Sequence, residues 1–99
     1  MKIKEGVHIP GLKIQMRSVL SIADKIWHEL SHELVITSAL DGVHSAGSLH
    51  YYGFALDLRS RYFTPDQKKQ AVLLLSKALG PNYDVISHTS HIHIEYDPK

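Results

Sequence analysis

Hydrophobic residues recur with helical spacing through the first third of the chain. Between residues 12 and 30 they fall mostly three or four positions apart, which is typical of an amphipathic helix with one face on a core. These apolar positions are Leu12, Met16, Val19, Leu20, Ala23, Ile26, Trp27 and Leu30. Residues 34–37 follow as a short, β-branched run, which predicts a buried strand.

Two later segments alternate apolar and polar positions, as strands with one buried face do. In residues 54–59 the alternation puts Asp57 on the polar face. In residues 91–96 the polar face carries His91, His93 and Glu95. The side chains with the most chemistry therefore lie on the polar faces of two predicted strands.

Start and stop signals frame a second helix. Thr64 is a good N-cap, Pro65 suits the first turn, and Gln67 can complete a capping box with Thr64. Gly80, which a proline follows, ends the helix. Residues 83–87 then predict a strand, and the short connection to the last strand indicates an antiparallel pair.

The order of these elements predicts a single α+β domain over residues 1–99, with its motif-bearing core at about residues 34–98. We expect a small, largely antiparallel sheet with helices packed on one face. The other face would carry Asp57, His91 and His93, so we expect the functional site there.

The composition excludes several classes of function. The 99 residues carry a formal charge of +1 with no run of Lys or Arg, so nucleic acid is not an expected partner. We expect a monomer with no membrane span, and no signal peptide is visible, which leaves the localisation open. The chain has no cysteine, which excludes disulfides and thiolate metal sites, whereas its eight histidines favour a histidine-based site.

Two zinc-binding patterns compete in the chain. The first is H-E-x-x-H at His28, Glu29 and His32, in which two histidines one helical turn apart hold zinc and the glutamate activates water. This arrangement needs a sheet before the helix, but only 27 residues precede His28, and most of them belong to the helix itself. The alternative interpretation is that these residues lie on the polar face of an amphipathic helix.

The second pattern joins His50, Asp57 and His93. His50 ends a loop that is rich in Gly and Ser, and Asp57 lies in the next strand, with a turn at Gly53 between them. Two imidazoles, one carboxylate and an open water position make a catalytic rather than a structural zinc site. On spacing alone, surface histidines and an aspartate at a strand end are an equally good interpretation.

The second pattern resembles the motifs of the zinc D-alanyl-D-alanine carboxypeptidases. Their first motif, S-x-H-x-x-G-x-A-x-D, matches at every fixed position, and their second, H-x-H, matches near the end of the chain at His91 and His93. The superfamily also contains lysostaphin-type endopeptidases and the hedgehog signalling domain, and the chain looks most like its compact phage-encoded members. The matching positions of the first motif are Ser48, His50, Gly53, Ala55 and Asp57.

This resemblance implies one zinc ion per chain, held by His50, Asp57 and His93. It also implies that His91 stabilises the oxyanion or moves a proton, and that Ser48 shapes the ligand loop. Zinc would polarise the scissile carbonyl and lower the pKa of its bound water. The implied substrate is a peptidoglycan stem peptide with a D-amino acid, cleaved by a carboxy- or endopeptidase such as a phage endolysin.

One departure from the family pattern concerns the general base. The carboxylate that serves the carboxypeptidases in this role is replaced by Ser90, whose hydroxyl does not take a proton from water near neutral pH. His91 is then the first choice for proton transfer and His88 the second. Glu95 shares the face of His93 and could orient it.

A second departure concerns substrate recognition. The family reads the substrate carboxylate with an arginine before the first motif, but no arginine lies between Arg17 and Arg59. Arg59 or Arg61 could reach a carboxylate instead, and an endopeptidase would not need to hold one. Both departures keep an alternative open, namely a catalytically weak or inactive zinc-binding module that acts in cell-wall or protein binding.

Overall fold

The computed structural model describes residues 1–7, 14–40 and 55–97. Over these residues the chain forms two helices and a five-stranded sheet, which confirms the predicted α+β class. The elements in chain order are β1 (Lys2–Ile3), α1 (Ile14–Glu29), β2 (Val35–Leu40), β3 (Ala55–Arg59), α2 (Pro65–Leu79), β4 (Tyr83–Ser87) and β5 (His91–Tyr96).

The sheet is largely antiparallel, as predicted. Its strands lie in the order β1-β2-β3-β5-β4, and every neighbouring pair is antiparallel except β1 with β2. The short parallel strand β1 was not predicted. It is held by the backbone N–H groups of Lys2 and Lys4, which donate to the carbonyls of Leu34 and Ile36 at 2.7 and 2.9 Å. Two residues are too few to give an alternating pattern.

The hydrophobic core lies between one face of the sheet and the two helices. Trp27 of α1 is fully buried there, and its indole Nε1–H donates to the carbonyl oxygen of Arg59 at 2.9 Å, so the core also fixes the end of β3. Neither helix in the described ranges is long and apolar enough to cross a membrane. The buried strand residues of the core are Ile36, Leu56, Leu58, Ile92 and Ile94.

Both ends of α2 follow the predicted signals. The Thr64 hydroxyl accepts from the backbone N–H of Gln67 at 3.1 Å, and the Gln67 side-chain oxygen accepts from the backbone N–H of Thr64 at 3.0 Å. This capping box pairs donors that a helix start would otherwise leave unpaired. Gly80 ends the helix with a φ of 84°, which glycine adopts without steric cost.

Packing of α2 can be tested with two leucines on the same helix. Leu75 is fully buried in the core, whereas Leu73 is 70% exposed. We expect Leu75→Ala to lower the free energy of unfolding by about 2–5 kcal/mol, because it leaves a cavity. Leu73→Ala should change it by no more than about 0.5 kcal/mol. Urea denaturation measures both, and equal losses would contradict this orientation of α2.

Candidate functional site

The pairing of β3 with β5 places the predicted site residues on one face of the sheet. Asp57 lies opposite His93, and Arg59 lies opposite His91. Because side chains alternate along a strand, residues two apart share a face. The intervening residues of both strands point into the core, so the polar face has a rigid apolar support beneath it.

A bulge in β2 adjoins Asp57. Ile36 pairs with Leu58, but Ser38 pairs with Asp57, so two steps along β2 match one step along β3. The extra residue is Thr37, whose hydroxyl donates to the backbone carbonyl of Asp57 at 3.3 Å. Bulges of this kind re-aim side chains at the edge of a site.

Asp57 and His93 are in direct contact. Nδ1 of His93 lies 2.7 Å from Oδ1 of Asp57, and Nε2 of His91 lies 3.9 Å from the same oxygen. The side chains of Asp57 and His93 are 23% and 17% exposed, so the contact is sheltered yet reachable from solvent. One carboxylate oxygen therefore stands near two imidazoles.

The other ring nitrogen of His93 meets a second carboxylate. Nε2 of His93 lies 3.3 Å from Oε1 of Glu95, so each nitrogen of the ring faces an acceptor. Both contacts are hydrogen bonds only when the ring carries two protons. The hydrogen bond to Asp57 accordingly raises the pKa of His93 above its usual value of 6.5; burial opposes this rise, and the hydrogen bond to Glu95 adds to it.

The turn between β4 and β5 brings the two proton-transfer candidates together. The backbone N–H of His88 donates to the carbonyl of His91 at 2.9 Å, and the two imidazole rings stack with centroids 4.6 Å apart. The hydroxyl oxygen of Ser90 lies 3.4 Å from Nδ1 of His91. Sequence reasoning missed Lys68, whose ammonium group on α2 donates to the carbonyls of His88 and Thr89 and so ties the turn to the helix.

The two predicted ligands that the structure describes, Asp57 and His93, lie close enough together to share one zinc ion. Two ligands of a tetrahedral zinc at 2.0–2.1 Å from the metal lie about 3.3 Å apart. Oδ1 of Asp57 and Nδ1 of His93 need to separate only slightly from 2.7 Å to reach that spacing. Glu95 would keep its hydrogen bond to Nε2 and hold the ring, as carboxylates beside metal-bound histidines do. The predicted ligand His50 and its neighbour Ser48 lie outside the described residues.

The competing H-E-x-x-H pattern does not form a metal site. The helix ends at Glu29, so His32 is not on it. The ring of His32 instead stacks on Tyr62 with centroids 4.5 Å apart and meets the edge of Phe63. No converging cluster of ligand atoms includes these residues within the described ranges.

The structure also brings together three carboxylates that the sequence reading did not select. Asp84, Glu95 and Asp97 place ligand atoms within 4.8 Å of one another, and each is partly buried. They converge because Asp84 pairs with Glu95 across β4 and β5, and Asp97 lies two residues further along. In the sequence, the alternation of the last strand places Glu95 on the polar face, and this was the signal available for the cluster. An all-oxygen set of this kind suits a hard cation better than zinc.

No family model matches the chain, and no curated protein matches it.

The raised pKa of His93 predicts how the stability of the metal-free protein depends on pH. Protonated His93 stabilises the fold, so this contribution is complete below pH 6.5 and is lost as the pH rises through the folded-state pKa. We expect the stability difference between the native protein and His93→Gln to be larger at pH 5.5 than at pH 8.5, measured by urea unfolding with a chelator present.

The control for this measurement is Leu73→Ala, because Leu73 is exposed on α2 and carries no titratable group. The stability difference between the native protein and this control should be nearly the same at both values of pH. A difference for His93→Gln that is equally independent of pH would show that the two carboxylates do not hold a proton on His93.

Proposed function

We propose that this protein is a zinc-dependent peptidase that hydrolyses stem peptides of bacterial peptidoglycan, with zinc held by His50, Asp57 and His93. The observation that carries this proposal is the 2.7 Å contact between Oδ1 of Asp57 and Nδ1 of His93 on the polar face of the sheet. A carboxylate and an imidazole at this distance are two of the three protein ligands that a catalytic zinc site uses.

The surroundings of His93 support a metal at this point. Glu95 accepts from Nε2, which leaves Nδ1 directed at Asp57 and fixes the plane of the ring. A zinc ion bound there supplies a Lewis acid that polarises the scissile carbonyl and makes water a better nucleophile near neutral pH. Since zinc takes the place of the proton on Nδ1, its affinity should fall as the pH is lowered through the raised pKa of His93.

His91 is the residue best placed to move a proton. Its Nε2 lies 3.9 Å from Oδ1 of Asp57, and its side chain is 32% exposed, so the ring can reach both the metal ligands and solvent. His88 stacks on it and restricts its rotation. Ser90 contacts the Nδ1 side of the same ring, which leaves Nε2 as the atom that faces the site.

The substrate class rests on the motifs. The S-x-H-x-x-G-x-A-x-D pattern that ends at Asp57 and the H-x-H pattern of β5 together resemble the zinc D-alanyl-D-alanine carboxypeptidases and their relatives. We assign peptidoglycan stem peptides as the substrate on this basis.

Zinc binding tests the metal centre directly. We expect one zinc per chain after dialysis, and Asp57→Asn or His93→Gln should weaken the affinity by more than about 100-fold. Glu95→Gln should weaken the zinc affinity by about 10–100-fold, the usual effect of removing a hydrogen-bond partner of a metal ligand. His28→Gln is the matched control and should retain the metal. Loss of zinc in His28→Gln with retention in His93→Gln would reverse the assignment.

Turnover needs its own test, with purified muropeptides and mass spectrometry of the products. We expect the native protein to release fragments of the stem peptide. His91→Gln should lower kcat by about 10²–10⁴-fold while zinc stays bound, which is the range for losing a positioned acid or base. His88→Gln should lower kcat by a smaller factor, because the His88 ring acts only by stacking on His91. Bound zinc with no cleavage of any muropeptide would support the non-catalytic zinc-binding module instead.

A further inference from the structure

A polar cavity of about 300 Å³ lies beside the candidate metal site. Asp57 and His91 form part of its lining, and the remaining charged side chains around it are Lys4, Arg59 and Arg61. Hydroxyl groups of the β2 bulge and of the turn before β5 complete the lining. The cavity therefore joins the metal-site residues to a cluster of three cations.

Charge in this cavity is unbalanced. Three cations face the single carboxylate of Asp57, and that carboxylate is already engaged by His93 at 2.7 Å. Within the described residues, neither Lys4 nor the two arginines forms an ion pair with an acidic side chain. Cations gathered without a counter-charge around a concave surface attract an anion.

The three cations come from separate segments that the fold holds in place. Lys4 follows β1, where its backbone N–H donates to Ile36 of β2. Arg59 ends β3, and its carbonyl accepts from the buried Trp27. Arg61 lies in the turn that follows, which closes with the N–H of Phe63 donating to Ser60 at 3.0 Å.

The distance between the cations and the candidate metal site can be compared with the spacing of residues in a bound peptide. Arg59 and Asp57 are two residues apart on one face of β3, and a strand rises 3.2–3.4 Å per residue, so the two side chains start about 7 Å apart. Neighbouring residues of a bound peptide are about 3.8 Å apart. A group held by Arg59 would thus belong to a residue one or two positions from the bond at the metal site.

We propose that the cavity lined by Lys4, Arg59 and Arg61 binds a carboxylate of the peptide ligand, and so fixes which bond reaches the metal site. Guanidinium groups bind carboxylates with two parallel hydrogen bonds, which gives direction as well as attraction. The carboxylate is either the C-terminus of the peptide or an acidic side chain near it. This inference rests on the proposed peptidase function for its biological meaning, but anion binding can be measured without turnover.

Binding is tested on the ¹⁵N-labelled protein, residues 1–99, by NMR titration with three probes of similar size. N-acetyl-D-alanine carries a terminal carboxylate, N-acetyl-D-glutamic acid α-amide carries a side-chain carboxylate, and N-acetyl-D-alaninamide carries none. We expect one or both carboxylates to shift the amides of residues 37–38 and 59–61, and the neutral amide to leave them unchanged. The probe that binds identifies the source of the anion.

Variants then connect binding to the cations. Arg61→Gln and Lys4→Gln should each weaken carboxylate binding by about 10-fold or more, since a hydrogen bond to a charged group contributes about 1.5–3 kcal/mol. Lys69→Gln removes one positive charge from α2, outside this cavity, and should leave the affinity unchanged. Equal binding of the neutral amide, or equal losses in all three variants, would overturn the proposal.

The same variants separate this inference from the proposed function. For peptides cleaved by the protein, the ratio of kcat/KM for a free carboxylate to that for its amide should fall in Arg61→Gln and stay constant in Lys69→Gln. Cleavage with no preference for a carboxylate in the native protein would overturn the cavity assignment and leave the peptidase. Carboxylate binding without cleavage of any peptide would overturn the proposed peptidase and leave the cavity assignment.

Discussion

The antiparallel pairing of β3 with β5 is the constraint on which the rest of the structure depends. Alternation sends Leu56, Leu58 and their partners from β5 into the core, and the same register sets Asp57 against His93 on the opposite face. A shift of one residue would bury the aspartate and expose the leucines. Hydrophobic burial therefore enforces the register, and the register enforces the 2.7 Å contact at the site.

This pairing leaves His93 between two carboxylates, where a positive charge is favoured. In the metal-free protein a proton supplies that charge, which is why the hydrogen bond to Asp57 raises the pKa of His93. A zinc ion would supply the charge at Nδ1 while Glu95 keeps the proton on Nε2. At the proposed zinc site, the proton and the metal would compete for the same nitrogen, which would link metal affinity, stability and pH through one side chain.

Local signals in the sequence predicted most of the fold, because they act within a few residues. The capping box of Thr64 and the stop at Gly80 set the bounds of α2, and alternation predicted β5. The two-residue strand β1 and the bulge at Thr37 depend on contacts between distant segments, so no local sequence pattern predicts them. Alternation along the two strands predicted that Asp57 and His93 share a face of the sheet. The distances between their atoms depend on the register of β3 with β5, which only the structure gives.

The cationic cavity bears on the choice between a carboxypeptidase and an endopeptidase, which the sequence leaves open. The absence of an arginine before the first motif favoured an endopeptidase that holds no carboxylate. The fold, however, brings Lys4 from β1 and Arg61 from the turn after β3 beside Asp57. Among the described residues these cations have no acidic partner, since Asp57 contacts His93 instead, and the proposed carboxylate site rests on this imbalance of charge. A sequence motif records residues that are close in the chain, whereas recognition of an anion depends only on charges that are close in space.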